Sequence, residues 1–127
     1  MNNKASQSYL NKSNENFKLY EFLSTQDDEH CFMDWQAVSI FYSTLCYVKA
    51  YLFSKPNIPE STINSHVSIK SWLTKESTAK RLMIYEHYYS FLYNCARDAR
   101  YKCKKTTKQK ITLMLEKHNE IKRLLVI

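Results

Sequence analysis

The feature that most restricts the fold is the absence of glycine from all 127 residues of the sequence. Glycine makes up about 7% of ordinary proteins, and it adopts positive φ more easily than any other residue. Hairpin turns, phosphate-binding loops and dinucleotide-binding turns all use that freedom. The sequence therefore argues against those structures and indicates long helices joined by simple turns. Pro56 and Pro59 fall in one short stretch, so the rest of the chain lacks the strongest helix breaker.

Apolar residues recur every three to four positions in five segments, which is the period of an amphipathic helix. The predicted helices cover residues 5–24, 34–53, 64–73, 77–103 and 108–125. The polar stretch 25–30, the proline-containing stretch 54–61 and the turn 104–107 separate them. Either Thr106 or Thr107 is suited to cap the last helix.

The second helix is expected to form the centre of the fold. Its apolar stripe consists of Val38, Phe41, Leu45, Val48 and Leu52, and the stripe is widened by Trp35, Ile40 and Tyr42. The first helix offers the apolar cluster Leu19, Tyr20, Phe22 and Leu23. We expect a single all-α domain over residues 1–127, built as an antiparallel four- to five-helix up-and-down bundle.

The cysteines give no sign of a metal site. Cys31, Cys46, Cys95 and Cys103 have no metal-binding spacing with each other or with the four histidines. Free thiols in a reducing cytoplasm are the simplest interpretation. The sequence shows neither a secretory signal nor an apolar run long enough to span a membrane. We therefore expect a cytoplasmic protein with no metal and no cofactor.

The positive charge is concentrated near the end of the sequence. Residues 97–127 contain ten Lys/Arg and three Asp/Glu, whereas residues 1–96 contain nine of each. Such a field attracts phosphate, RNA or an acidic protein. The candidate nucleic-acid contacts are Arg97, Arg100, Lys102, Lys104, Lys105 and Lys108. Tyr93 and Tyr101 flank this block and are suited to stack on bases. A solvated lysine-rich turn is the alternative interpretation.

Three ordered patterns carry a family resemblance. Residues 34–52 read D-W-x-x-V-x-x-F-Y-x-x-L-x-x-V-x-A-Y-L, residues 65–70 read S-H-x-x-I-K, and residues 89–101 read Y-x-x-L-x-x-x-A-R-x-A-R-Y. Asn14 to Phe17, N-E-N-F, precede them. This order resembles small prokaryotic HEPN-domain proteins, across nearly the whole chain. The resemblance implies a helical bundle. It also implies a protein that dimerises and works with RNA, often in toxin–antitoxin or phage-defence systems, and some relatives partner a nucleotidyltransferase.

Many HEPN proteins are metal-independent ribonucleases with an R-x4–6-H motif, in which four to six residues separate the arginine from the histidine. Here no histidine follows Arg97 at such a distance, because the positions four to seven residues after it are Tyr101, Lys102, Cys103 and Lys104. Arg81 and His87 do have the spacing of this motif. Because they are six positions apart on a predicted helix, however, their side chains lie on different faces of it.

Apart from Arg81 and His87, the sequence offers a second set of candidates for a catalytic or phosphate-binding site. These are His66, at the start of the third helix, and Arg97, Arg100 and Tyr101. Histidine moves protons near neutral pH, and arginine stabilises phosphate charge. Asp34 is predicted to join the arginines in a structural polar network, as an alternative to ligand binding.

The sequence favours an RNA-associated HEPN-like module, expected to be a homodimer, in which the nuclease motif is degenerate. A metal-independent endoribonuclease and an interaction protein that docks an acidic partner are the alternatives. An antitoxin or nucleotidyltransferase is the partner that the resemblance implies.

Overall fold

A computed structural model describes residues 3–55, 58–75, 84–102 and 105–127 of the chain. Within these ranges the protein is all-α, with five helices and no strand. The helices are α1 (Asn3–Ser24), α2 (Met33–Phe53), α3 (His66–Lys75), α4 (Ser90–Tyr101) and α5 (Lys108–Leu124). A 3₁₀ turn, Glu60–Thr62, precedes α3. The helices pack as a bundle around one apolar core, which confirms the prediction of an all-α helical bundle.

Helix α2 lies at the centre of the bundle and contacts α1, α4 and α5. All five residues of its predicted stripe are buried: Val38, Phe41, Leu45, Val48 and Leu52. The prediction that Trp35 widens this stripe is wrong, because its side chain is 59% exposed. Trp35 lies in the first turn of α2, between the exposed Asp34 and the buried Gln36.

Helices α1 and α2 meet along a seam of small polar residues. Ser13 and Ser43 each donate their hydroxyl to the other's carbonyl, at 2.7 and 2.8 Å. Ser6 Oγ donates to the carbonyl of Ala50 at 2.8 Å. We call Ser6, Ser13 and Ser43 the serine seam. As the residue number rises in α1 it falls in α2, so the two helices run antiparallel.

The serine seam corrects the prediction for the first helix. Leu19 and Phe22 were expected on its apolar face, but they are 46% and 62% exposed. Ser6 and Ser13 are buried in their stead, because short side chains let two helix backbones approach closely. Their hydroxyls are satisfied by α2 carbonyls, so burying them leaves no unmet hydrogen bond.

Helix α5 is capped by Thr107, whose side chain accepts a hydrogen bond from the backbone N–H of Lys110. Further along, His118 Nδ1 lies 2.6 Å from the hydroxyl of Thr44. Tyr47 donates its hydroxyl to the carbonyl of Leu125 at 2.7 Å. The residue numbers of both partners increase from the first pair to the second, so α5 runs parallel to α2. The buried face of α5 packs against α2.

The start of α2 uses an unusual backbone conformation. Phe32, just before the helix, has φ 46° and ψ 65°, in the left-handed region. Glycine normally takes this role, and a bulky residue there carries strain of about 1–3 kcal/mol. The next helical turn is anchored by Asp34, whose Oδ1 accepts from the hydroxyl and N–H of Thr106, at 2.6 and 3.2 Å.

The predicted helix 77–103 is confirmed as helical over residues 84–101, but it is not uniform. Ile84–Tyr89 is wound as a π-helical segment and leads directly into α4. Residues 76–83 and 103–104 lie outside the described ranges. The wider π winding changes the direction in which Tyr85 and Tyr89 project, and their rings stack 5.5 Å apart. Segments of this kind are frequent at functional sites.

Cys31, Cys46 and Cys95 are buried free thiols, while Cys103 is not among the described residues. Burial raises the pKa of Cys46 and of Cys95, so both stay protonated at neutral pH. None of the helices in the described ranges is long and apolar enough to cross a bilayer.

Candidate nucleic-acid interface

A pocket of about 240 Å³ opens where α3 and α4 approach the outer side of α2. It brings together four residues that the sequence singled out, namely His66, Arg97, Arg100 and Tyr101. Phe41, Tyr42, Tyr93 and Ala96 complete its lining. We call it the His66 pocket. The proximity of the third helix to Arg97 and Arg100 is the arrangement that the sequence predicts.

His66 is the first residue of α3 and is held in place by aromatic neighbours. Its Nδ1 lies 2.6 Å from the hydroxyl of Tyr89, and its ring centroid is 4.2 Å from that of Tyr93. Burial, with a smaller effect from Lys49, lowers the pKa of His66 below its usual value. Burial also raises the pKa of Tyr89, which is 1% exposed.

These directions define the protonation of the pair. A neutral histidine beside a protonated phenol is satisfied when Tyr89 donates its O–H to Nδ1. The proton of His66 then resides on Nε2. Tyr89 therefore acts as a positioning residue, because it fixes both the ring and the tautomer of His66.

Arg97 and Arg100 are three residues apart and share one face of α4. Arg100 donates from a terminal nitrogen to the hydroxyl of Tyr42 at 2.6 Å. Its guanidinium carbon lies 4.8 Å from the ring centroid of Tyr101 and 5.8 Å from that of Tyr42. Arg97 lies 5.9 Å from the ring of Tyr93. Among the described residues neither guanidinium has a carboxylate partner within ion-pair distance, so aromatic rings orient both charges without neutralising them.

A second pocket, of about 310 Å³, adjoins the first. It is lined by Asp34, Trp35, Val38, Ala99, Arg100 and Tyr101. We call it the Trp35 pocket. Arg100 and Tyr101 belong to both pockets, so the two form one track across α2 and α4. Tyr101 is 66% exposed and stands at their junction.

Three lysines of the predicted block are described, Lys102, Lys105 and Lys108, and they line different parts of the surface. Lys102 forms an exposed ion pair with Asp98 at 3.5 Å. Lys105 lines a depression beside Phe32 and Asp34. Lys108 lines another, near the end of α1. The basic block is thus a surface around the track and not a compact patch.

Two further predicted residues, Lys104 and Arg81, are outside the described ranges, so the Arg81–His87 hypothesis is not tested. His87 is exposed on the π-helical segment and does not line the His66 pocket. The sequence interpretation paired Asp34 with an arginine, whereas its hydrogen-bond partner is Thr106.

Two tyrosines that orient the site were not identified from the sequence. Tyr42 holds Arg100, and Tyr89 holds His66. Tyr42 was assigned to the apolar stripe of its helix, and Tyr89 was noted only as the first residue of the pattern in residues 89–101. Their phenol hydroxyls, which need a partner when they are buried, were the available signal.

In the described part of the chain, no group of three or more His, Cys, Asp or Glu side chains is placed to hold a metal ion. Comparison of the chain with protein-family models, with curated proteins and with solved structures finds no match. The function is therefore inferred from the residues that line the two pockets and from the geometry of those pockets.

Proposed function

We propose that the protein is a HEPN-like module that binds single-stranded RNA through the His66 pocket and the basic residues around it. The resemblance in residues 34–52, 65–70 and 89–101 supports the family assignment. The directions of the long helices support an up-and-down bundle, because α1 is antiparallel to α2 while α5 is parallel to it.

The observation that carries the proposal is a pair of arginines in a pocket of aromatic rings, neither of which pairs with a carboxylate of the described residues. Arg97 and Arg100 are oriented by Tyr93, Tyr42 and Tyr101. A cation that is held in place but not neutralised is suited to receive a phosphate. Exposed rings beside it offer stacking surfaces to unpaired bases, which a duplex does not present.

His66 adds a neutral donor to the same pocket. Its pKa lies below the usual value, so the ring is uncharged at pH 7. With Tyr89 donating to Nδ1, the Nε2–H is left to donate to a phosphate oxygen. Two cations and one neutral donor make a suitable first contact for the backbone of one nucleotide.

The proposal is tested by Arg97→Ala and Arg100→Ala, with Arg123→Ala as the matched control. Arg123 is an exposed arginine on α5, where it pairs with Glu120 at 2.8 Å and lines neither pocket. Binding of a labelled single-stranded RNA is measured by fluorescence anisotropy over a range of salt concentrations. Each pocket variant should bind more weakly, and its slope of log K against log salt should fall by about 0.7 per lost phosphate contact. Equal behaviour of all three variants would refute the pocket as the binding site.

The surrounding basic block is tested with a combined replacement of Lys102, Lys104, Lys105 and Lys108 by alanine. If this block also contacts RNA, the salt slope should decrease by up to about 0.7 per lost contact. An unchanged slope would assign the block to a solvated turn and leave only the pocket in contact with the strand.

Metal-independent RNA cleavage is the second candidate, and it is favoured by the position of His66 beside Arg97 and Arg100 in one pocket. Cleavage needs a group that moves protons and another that stabilises the charge on phosphorus. The motif histidine after Arg97 is missing, and a lysine, whose ordinary pKa is about 10.4, is unsuited to act as a general base near neutral pH. We expect no robust cleavage in the presence of a chelator. Cleavage abolished by His66→Ala, with unchanged circular dichroism, would reverse this prediction.

The partner proteins follow from the same resemblance. We propose a homodimer that works beside an antitoxin or a nucleotidyltransferase in a toxin–antitoxin or phage-defence system. Sedimentation of the purified protein tests the dimer, and co-purification with the product of a neighbouring gene tests the partner. Co-purification with an acidic protein, without RNA, would favour the interaction-protein alternative.

A further inference from the structure

The Trp35 pocket contains the most unusual exposed side chains on this face of the molecule. Trp35 and Tyr101 come from different helices and are 59% and 66% exposed. Tryptophan is highly buried on average in soluble proteins. Here it stands on the surface opposite a tyrosine, across a pocket of about 310 Å³. That volume is at the lower end of the range of small-molecule sites, about 300–1,000 Å³.

The pocket lining is anchored to the bundle. Asp34 accepts two hydrogen bonds from Thr106, which ties the first turn of α2 to the segment that precedes α5. Arg100 is held by the hydroxyl of Tyr42 and lies 4.8 Å from the ring of Tyr101. A pre-arranged lining of this kind reduces the ordering cost when a ligand binds.

The chemistry of the lining fits one occupant. Two exposed aromatic rings suit a flat, aromatic ligand, and Arg100 suits a negative charge attached to it. Because Arg100 also lines the His66 pocket, a phosphate there and a base in the Trp35 pocket would belong to one strand. The carboxylate of Asp34 only accepts hydrogen bonds, so it favours a base that presents N–H groups.

We propose that the Trp35 pocket holds a nucleobase of the bound strand, stacked on Trp35 and Tyr101, and that Asp34 makes the pocket prefer guanine over uracil. This inference rests on the proposed RNA binding. Guanine presents two adjacent donors, N1–H and the N2 amine, to Asp34 Oδ2, because Oδ1 already accepts two hydrogen bonds from Thr106. Uracil presents a single N–H between two carbonyl oxygens, which a carboxylate repels. Asp34 is therefore a specificity-determining residue.

The test uses two labelled RNA octamers, one of uridines only and one with a single central guanosine. Trp72→Phe removes the second of the two tryptophans, so that Trp35 alone reports by its fluorescence. Titration with the guanosine-containing octamer should quench Trp35, and this octamer should bind more tightly than the uridine octamer. Trp35→Ala should weaken its binding about 5- to 100-fold, as expected for the loss of one stacked base.

Two variants complete the design. Asp34→Asn keeps an oxygen that accepts from Thr106 but replaces the other with an amide, so it should remove the preference for guanosine while the protein remains folded. Phe22→Ala is the matched control, because Phe22 is exposed to a similar degree, 62%, and lines neither pocket. It should leave both affinities unchanged.

The outcomes separate this inference from the function on which it rests. Binding that depends on Arg97 but leaves Trp35 fluorescence and the Trp35→Ala affinity unchanged would overturn the base pocket and retain RNA binding. Equal affinity of the wild-type protein for both octamers would overturn the role of Asp34. Absence of binding to either octamer would overturn both proposals. Trp35 fluorescence that changes only with protein concentration would assign the pocket to a second copy of the chain.

Discussion

The serine seam and the His66 pocket lie on different sides of α2 and treat polar groups in opposite ways. At the seam, Ser13 and Ser43 satisfy each other and are at most 2% exposed. At the pocket, Arg97 and Arg100 contact rings and one phenol, and both guanidiniums remain exposed. One helix thus has a closed side that stabilises the fold and an open side with charge available to a ligand. Substitutions on the two sides should therefore differ in kind.

The largest effect on stability is expected from the buried face of α2. Leu52 is 1% exposed, and Leu52→Ala should reduce the free energy of unfolding by about 2–5 kcal/mol, because it removes buried methyl groups and leaves a cavity. Urea denaturation measures the loss. Val67→Ala, at a position that is 78% exposed on the pocket-side helix α3, should change it by no more than about 0.5 kcal/mol. Similar losses for both variants would contradict the assignment of α2 as the centre.

The closed side should also make stability depend on pH through His118. Burial, with a smaller effect from Lys122, lowers the pKa of His118 to about 4, and the ring stacks on Phe17 at 5.1 Å. Because the folded-state pKa lies below the unfolded value of 6.5, the unfolded chain binds more protons as the pH falls. The free energy of unfolding should therefore fall from pH 6.5 to pH 4, by up to about 3 kcal/mol.

The pH prediction is checked by urea denaturation at a series of pH values. His118→Asn keeps a polar group near Thr44 but does not titrate. Its stability should depend less on pH within this window, and an identical slope in both proteins would assign the effect to other groups.

A smaller effect is expected at the seam itself. Ser13→Ala removes one of the reciprocal hydrogen bonds with Ser43 and should cost about 1 kcal/mol. Ser8→Ala, at an exposed serine of the same helix, controls for the higher helix propensity of alanine. The prediction fails if the two variants are equally stable.

The smallest effect on stability is expected at the junction of the two pockets. Tyr101→Ala removes a side chain that is 66% exposed and should change the free energy of unfolding by no more than about 0.5 kcal/mol. Thermal denaturation is sufficient to test this. A large loss of unfolding free energy would mean that the open side also stabilises the fold, which would contradict the difference between the two sides.

The regular parts of the fold were predictable from the sequence. The five stripe residues from Val38 to Leu52 are buried. Apolar residues at a 3–4 spacing lie on one face of a helix, and that face packs against the core. The amphipathic pattern does not reveal which apolar residues beside a buried stripe are left uncovered. Trp35 and Phe22 are residues of this kind, and both are exposed.

The sequence predicted the charged residues of the site but not the tyrosines that hold them in position. His66 and Arg97 stand out in a sequence because of their chemistry, and the structure places them in one pocket. The contacts that Tyr42 and Tyr89 make with Arg100 and His66 were missed, since a sequence does not show where a phenol hydroxyl points. The same limit explains the Asp34–Thr106 contact, which joins two helix starts that are 72 positions apart.

The parallel alignment of α2 and α5 has a consequence for the order in which the chain folds. The contacts between α1 and α2 join residues 30 and 44 positions apart, whereas those between α2 and α5 join residues 74 and 78 positions apart. Closing a longer loop costs more entropy. The α1–α2 hairpin is therefore favoured to form early, and α5 to dock late. Until α5 docks, the hydroxyl of Tyr47 and the side of α2 that α5 covers remain in water, where exposed apolar surface favours aggregation.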